Sequence, residues 1–142
     1  MQEQINKEIY SNLVKSVEIK SIQLNYLEIS DVNSDLENID TVNIDLKFDN
    51  SKFNKLEDML IIYSDFMLET KSNRKNETVF KMHFTYKLTY YISSLNDFDD
   101  IYINLFANRN VPVNIWPYAR ELISSSSSRI GLPSIVIEPL KI

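Results

Sequence analysis

From Phe80 to Ile92 every second residue is apolar: Phe80, Met82, Phe84, Tyr86, Leu88, Tyr90 and Ile92, while the opposite face holds Lys81, His83, Thr85, Lys87 and Thr89 before Tyr91. A period of two held this long requires an extended strand, spanning residues 77–92, with one face buried and one solvated. A strand cannot bury such a face alone, so it demands sheet partners and a covering layer. Residues 41–49 repeat the pattern, Val42, Ile44, Leu46 and Phe48 alternating with Asn43, Asp45, Lys47 and Asp49. Residues 56–71 read as a third strand, apolar on both faces over 59–63 and then settling onto Phe66 and Leu68. Residues 71–76 hold two Asn and no apolar residue, which predicts a hairpin loop into the long strand.

Residues 16–29 form a first strand whose apolar phase shifts from Val17 and Ile19 to Ile22, Leu24 and Tyr26, as a bulge near Lys20 would cause. Residues 30–40, rich in Asp, Ser and Asn, are a polar connection. Consecutive strands joined in this way suggest an antiparallel meander. After Ser94 the period changes: Phe98, Ile101, Tyr102, Leu105 and Phe106 recur at helical spacing, predicting an amphipathic helix over 97–108 with acidic residues in its first turn. A proline break at 111–113 follows. Asn114 can then cap a second helix whose first turn tolerates Pro117, and Gly131 and Pro133 end that helix. Residues 134–142, with Pro139 among them, read as an extended edge or docking segment. The expected class is α+β, one domain over residues 1–142, a four-stranded antiparallel sheet followed by two helices and an extended tail.

The 142 residues suffice to bury a core, and 44% hydrophobic with 25% charged residues is ordinary globular usage. Cysteine is absent, which excludes disulfides, thiolate nucleophiles and sulfur-ligated metal sites. A net charge of -5 disfavours phosphate backbones and anionic lipid, so neither nucleic acid nor membrane insertion is expected as a partner. The polar residues 1–10 lack a secretion signal, and no apolar run is long enough to span a bilayer; a cytoplasmic location is expected. The single glycine, Gly131, leaves little material for a phosphate-cradling loop.

The run Asn114-Ile115-Trp116-Pro117-Tyr118-Ala119-Arg120-Glu121, followed by Ser128-Arg129, Pro133 and Pro139, resembles the helix-and-tail signature of the SecB protein-export chaperones. That signature is an Asn, two apolar residues, Pro-Tyr-Ala-Arg-Glu, an Arg closing the helix and a Pro-containing apolar tail. The element order derived above agrees with the family's four strands and two helices. The resemblance implies a homotetramer, a dimer of dimers (or a dimer alone), that holds non-native polypeptides in apolar grooves and passes them to the motor SecA, with no reaction catalysed and no cofactor or metal. It points to Trp116, Tyr118 and Phe106 for the groove, most other aromatics filling the core, and to Ser124, Ser125 and Ser128 for contact with another subunit's helix, a solvent-facing serine side being the equal alternative. Asn114, Pro117, Ala119, Arg120, Glu121, Arg129 and Pro133 are its structural residues, Arg120 and Glu121 as ion partners. The acidic positions that receive SecA in the family fall at Ser21, Asn25 and His83, none of them acidic, and the family's acidic extension after the apolar tail is not expected here, which counts against SecA as a partner.

Two other uses of the same fold are a dedicated chaperone of one partner, such as the antitoxin of a toxin-antitoxin pair, and a structural or ligand-binding module without chaperone activity. Elsewhere the residues favour bland roles. His83, the single histidine, reads as an exposed strand residue, and Asp65 with Glu69, or Asp97 with Asp99 and Asp100, as a solvated sheet face and helix-dipole partners, not cation ligands.

Overall fold

The computed structural model describes residues 5–33, 42–73 and 76–140. Its elements are α1 (Lys7–Ser16), β1 (Val17–Ser30), β2 (Val42–Leu56), β3 (Met59–Ser72), β4 (Thr78–Ile92), a 3-10 turn (Leu95–Asp97), α2 (Asp100–Arg109) and α3 (Val111–Arg129). The long alternating segment is β4, and it sits between β1 and β3 because both of its backbone edges need partners.

The sheet is antiparallel throughout, but its order is β1-β4-β3-β2, so the expected meander holds only for β2, β3 and β4. β1 pairs with the last strand, giving a Greek-key order. The physical reason is connection length. The β2–β3 link is the tight turn at Glu57 and Asp58, which forces adjacency, whereas residues 31–41 between β1 and β2 are long enough to cross the width of the sheet. Most of the polar connection expected over 30–40, from residue 34 on, lies outside the described residues, as do residues 74–75 of the β3–β4 hairpin.

β1 carries the predicted irregularity at Lys20 and a second one at Asn25, each visible as a register shift against β4. β2 runs on past Asp49 through a further shift before Lys52 and ends at Leu56, the residue from which β3 was expected to start. The turn that separates them has none of the usual Gly, Pro or Asn; Glu57 itself adopts the left-handed conformation, with φ 55°.

Cross-strand register brings Phe66 opposite Phe84, Leu68 opposite Met82, Ile62 opposite Leu88 and Leu60 opposite Tyr90, all on one face. Ile103, Phe106, Ile115, Ala119 and Ile123 of α2 and α3 complete the core against that face. Fully buried Ala119 lets the helix backbone approach the sheet closely. On the opposite face Lys81, His83, Thr85, Lys87 and Thr89 are exposed or half-buried, as expected of a solvated surface.

Two helix boundaries differ from expectation. α2 starts at Asp100, after the 3-10 turn. α3 begins at Val111, directly after Asn110, so Pro112 occupies the first turn and Pro117 lies inside the helix. Asn114 therefore does not cap it; its Oδ1 accepts from the buried Tyr90 hydroxyl at 2.9 Å. Proline lacks only its own N–H, and Pro112 stands where that group has no intrahelical partner, so it opens the helix instead of delaying it. At the other end Gly131, with φ +87°, closes α3, Leu132 N donating to Ser127 O at 3.0 Å and Gly131 N to Ser128 O at 3.1 Å.

α1 was not expected. Asn6 caps it, its Oδ1 accepting from Glu8 N at 2.9 Å and Ile9 N at 3.3 Å. Leu13 enters the core, and the Tyr10 hydroxyl donates to Asn110 Oδ1 at the α2–α3 junction. Asn6 followed by Ile9, Tyr10, Leu13 and Val17 is a cap and an apolar stripe at helical spacing, a legible signal masked by the polarity of residues 1–8.

Candidate functional site

A band of aromatic rings crosses the helix-covered face of the sheet. Phe66 stacks on Phe84 with centroids 4.8 Å apart and planes 11° apart, and Phe48 stacks on the other side of Phe66 at 5.7 Å. Trp116, half-buried on α3, meets Phe48 edge-on at 5.8 Å and lies 6.4 Å from Phe66. On the β1 side of the helix Tyr118 packs edge-on against Tyr86 at 5.9 Å, and the Tyr86 hydroxyl donates to the Tyr118 carbonyl. The band is not closed over: Phe48 is 42% and Tyr118 45% exposed, with Ile44 of β2 and Leu24 and Leu27 of β1 also exposed beside them. Rings held this way offer large apolar area at little rotamer cost.

The tail forms the other wall. Residues 133–140 run extended along α3 without joining a sheet. Trp116 Nε1 donates to the Glu138 carbonyl at 2.8 Å, and Arg120 Nε to the Ile137 carbonyl at 3.1 Å. Ser127 Oγ accepts from Ile135 N at 2.9 Å, Ser128 and Ser134 share a hydroxyl contact of 2.6 Å, and Ile135 and Ile137 are buried. This is the docking segment read from the sequence.

A family model described as preprotein translocase subunit SecB matches residues 9–142. The chain belongs to the SecB family. It is a chaperone of the SecB type. Among solved structures, the SecB-like chaperone Rv1957 of Mycobacterium tuberculosis, in complex with a ChAD peptide from the Rv1956 HigA1 antitoxin, superposes with a TM-score of 0.84 at 16% identity, covering 96% of this chain and 99% of that one. At that identity the likeness is one of fold. A protein of unknown function from Streptococcus agalactiae matches at a TM-score of 0.40 and 12% identity, over 86% of this chain and 96% of that one, too weakly to carry any argument. No curated protein sequence matches.

With the SecB fold in place, the expected site residues divide. Trp116 and Tyr118 lie in the aromatic band, on opposite sides of α3. Phe106 does not: it is 2% exposed, packed edge-on against Tyr90 at 5.0 Å, and belongs to the core. Its helical spacing was equally compatible with either place, and the α2–sheet contact decided it. Ser124 and Ser125 are half-buried, while Ser128 is held by Ser134; the buried serines of the run are Ser126 and Ser127. Arg120 was expected as an ion partner, but its Nε contact is to backbone. Glu121 is exposed, as are Pro117, Arg129 and Pro133. Phe48 and Phe66, absent from the expected groove, are central to the band; aromatics on two strands point to nothing until register pairs them.

On the outer face His83 is half-exposed, its Nε2 lying 2.8 Å from Asp65 Oδ1, which also accepts from Thr85 Oγ1 at 2.6 Å. Tyr26 meets the imidazole edge-on at 5.1 Å. Glu69 accepts from Thr78 Oγ1 at 3.0 Å, and Asp100 pairs with Lys55 at 2.9 Å. Among the described residues no group of His, Asp and Glu is placed to hold a metal ion, and no helix is long and apolar enough to cross a membrane.

The phenols under α3 have a consequence for alkaline stability. Burial, reinforced by Glu121 and Tyr118, pushes the Tyr86 hydroxyl from 10.0 up to about 12, and burial also raises Tyr90. The folded chain thus keeps these protons to higher pH than the unfolded chain, which ionises near the ordinary tyrosine value. Above that value the unfolded state binds fewer protons and is favoured. Urea midpoints should be unaffected by these two groups up to about pH 10 and fall between about pH 10 and 12. Tyr86→Phe should lessen the fall; an unchanged fall would contradict this assignment.

Proposed function

We propose that this SecB-family chaperone is a holdase for extended apolar segments of non-native polypeptides, including precursors awaiting export, which it binds along the open aromatic band without chemical reaction. The observation that carries the reading is the exposed band itself: Phe48 and Trp116 on the β2 side of α3, Tyr118 with Leu24 and Leu27 on the β1 side, left uncovered by the chain's own described residues. Such a surface binds by area and shape rather than by base, acid or metal. The proposal includes a cytoplasmic location and assembly of the chain with itself, as a homotetramer or dimer, with Ser124 and Ser125 of α3 near the contact. A reduced, unfolded client mixed with excess protein should stay in solution, and light scattering should report a mass above that of one 16.7 kDa chain. Aggregation proceeding at its unassisted rate would sink the holdase reading.

A second reading, service to one dedicated partner, is supported by two observations. Ser21, Asn25 and His83 replace the acidic residues expected for SecA, and the Mycobacterium tuberculosis relative in fold is described bound to an antitoxin peptide. Pull-down from the native host separates the readings: one dominant polypeptide favours the dedicated partner, and a diverse set of precursors favours the general holdase.

A further inference from the structure

The slot on α3 that Ile137 and Glu138 occupy, within the extended residues 136–140, has the chemistry of a polypeptide-binding site in its own right. Its donors, Trp116 Nε1 and Arg120 Nε, address the carbonyls of Glu138 and Ile137, groups that every polypeptide carries. They therefore recognise extended backbone irrespective of sequence. Leading into those carbonyls the side chains alternate as in a strand, Ile137 turned in at 4% exposure and Val136 turned out at 66%. What the slot accepts is an extended chain with an apolar residue at the inward position.

The two halves of the tail are attached at different places along α3. The near half is tied at the helix end, through Ile135 N to Ser127 Oγ and through Ser128 to Ser134, close to the Gly131 turn. The far half has the two α3 donors and the Ile137 side chain. The slot is also continuous with the aromatic band, because the indole that donates to Glu138 is the one that packs on the exposed Phe48 ring. A polypeptide segment lying along the band therefore meets the tail at Trp116.

We infer that residues 136–140 are a resident occupant of a client site, an intramolecular strap that an extended apolar segment of client displaces, after which Trp116 and Arg120 donate to the client's backbone carbonyls instead. This rests on the holdase reading and names the conformation of client it takes. Two composition facts make it testable: Trp116 is the single tryptophan, and the chain has no cysteine. A nitroxide on Val136→Cys, an exposed position, will quench Trp116 while the strap is seated. The probe is a tryptophan-free, unstructured peptide rich in Ile and Leu, its binding followed by calorimetry on the same labelled protein. Trp116 emission, taken relative to the protein with its nitroxide reduced, should rise at least about two-fold, with the calorimetric midpoint. Binding heat with unchanged relative emission overturns the strap while leaving the holdase reading intact. Absence of binding heat at two well-separated temperatures, which a non-zero heat-capacity change would reveal, sinks both.

Discussion

Phe66→Ala is expected to be the most destabilising single change, costing about 3–5 kcal/mol in urea unfolding. Phe66 is fully buried, stacked on Phe84 and Phe48 on either side and lying under Trp116, so its truncation removes ring contacts in three directions at once. The cavity cannot readily collapse, because Phe84 is itself fully buried and fixed by the β4 ladder on both edges. Phe48→Ala, at a ring already 42% exposed, should cost far less, about 1 kcal/mol, since much of its area is already in water. Equal losses for the two variants would show that the band is not organised around Phe66.

Trp116→Ala should leave the chain folded and weaken client capture by about ten- to thirty-fold, the loss typical of an aromatic anchor at the centre of a contact. The indole is half-buried, so its removal opens no sealed cavity. It does remove the ring that meets Phe48 and the N–H that holds Glu138, the two features that make the band and the tail one surface. Trp116→Phe keeps a ring over Phe48 but not the N–H, and should fall between the two. Titrating each variant against an aggregating client measures the effect; full activity in Trp116→Ala would remove Trp116 from the site.

The two variants also separate what could be read from the residues and what could not. The alternation at Phe80 to Ile92 was sufficient to establish a long half-buried strand, because a period of two leaves one solution to where each side chain points. The phase slip at Ile22 was sufficient to place the bulge at Lys20. The helix period gives α2, and Gly131 with Pro133 gives the end of α3, but Pro112 reads as a break because a proline in the first turn and a proline before a helix look alike in one dimension. α1 was missed for the opposite reason: its apolar stripe is short and sits in a polar segment, and it becomes a helix by docking Leu13 and Tyr10 against α2 and α3.

The candidate site was half legible. The signature at Asn114 to Glu121 brings Trp116 and Tyr118 into view, whereas Phe106, expected beside them from outside the signature, is sent to the core by tertiary packing. Phe48 and Phe66 had no local mark at all. They lie on different strands, and only the β2–β3 register, with α3 laid across it, makes them a single band with Trp116.

By itself the sequence determined the strand faces, the class of fold and the family, because periodicity and a spaced signature are local properties that survive without knowing who neighbours whom. Tertiary structure alone decided that β1 closes on β4, that Arg120 holds a backbone carbonyl, and that aromatics from β2, β3 and α3 meet in one open band. Those are contacts between residues far apart in the chain, and they form where burying apolar area repays the entropy of bringing distant segments together.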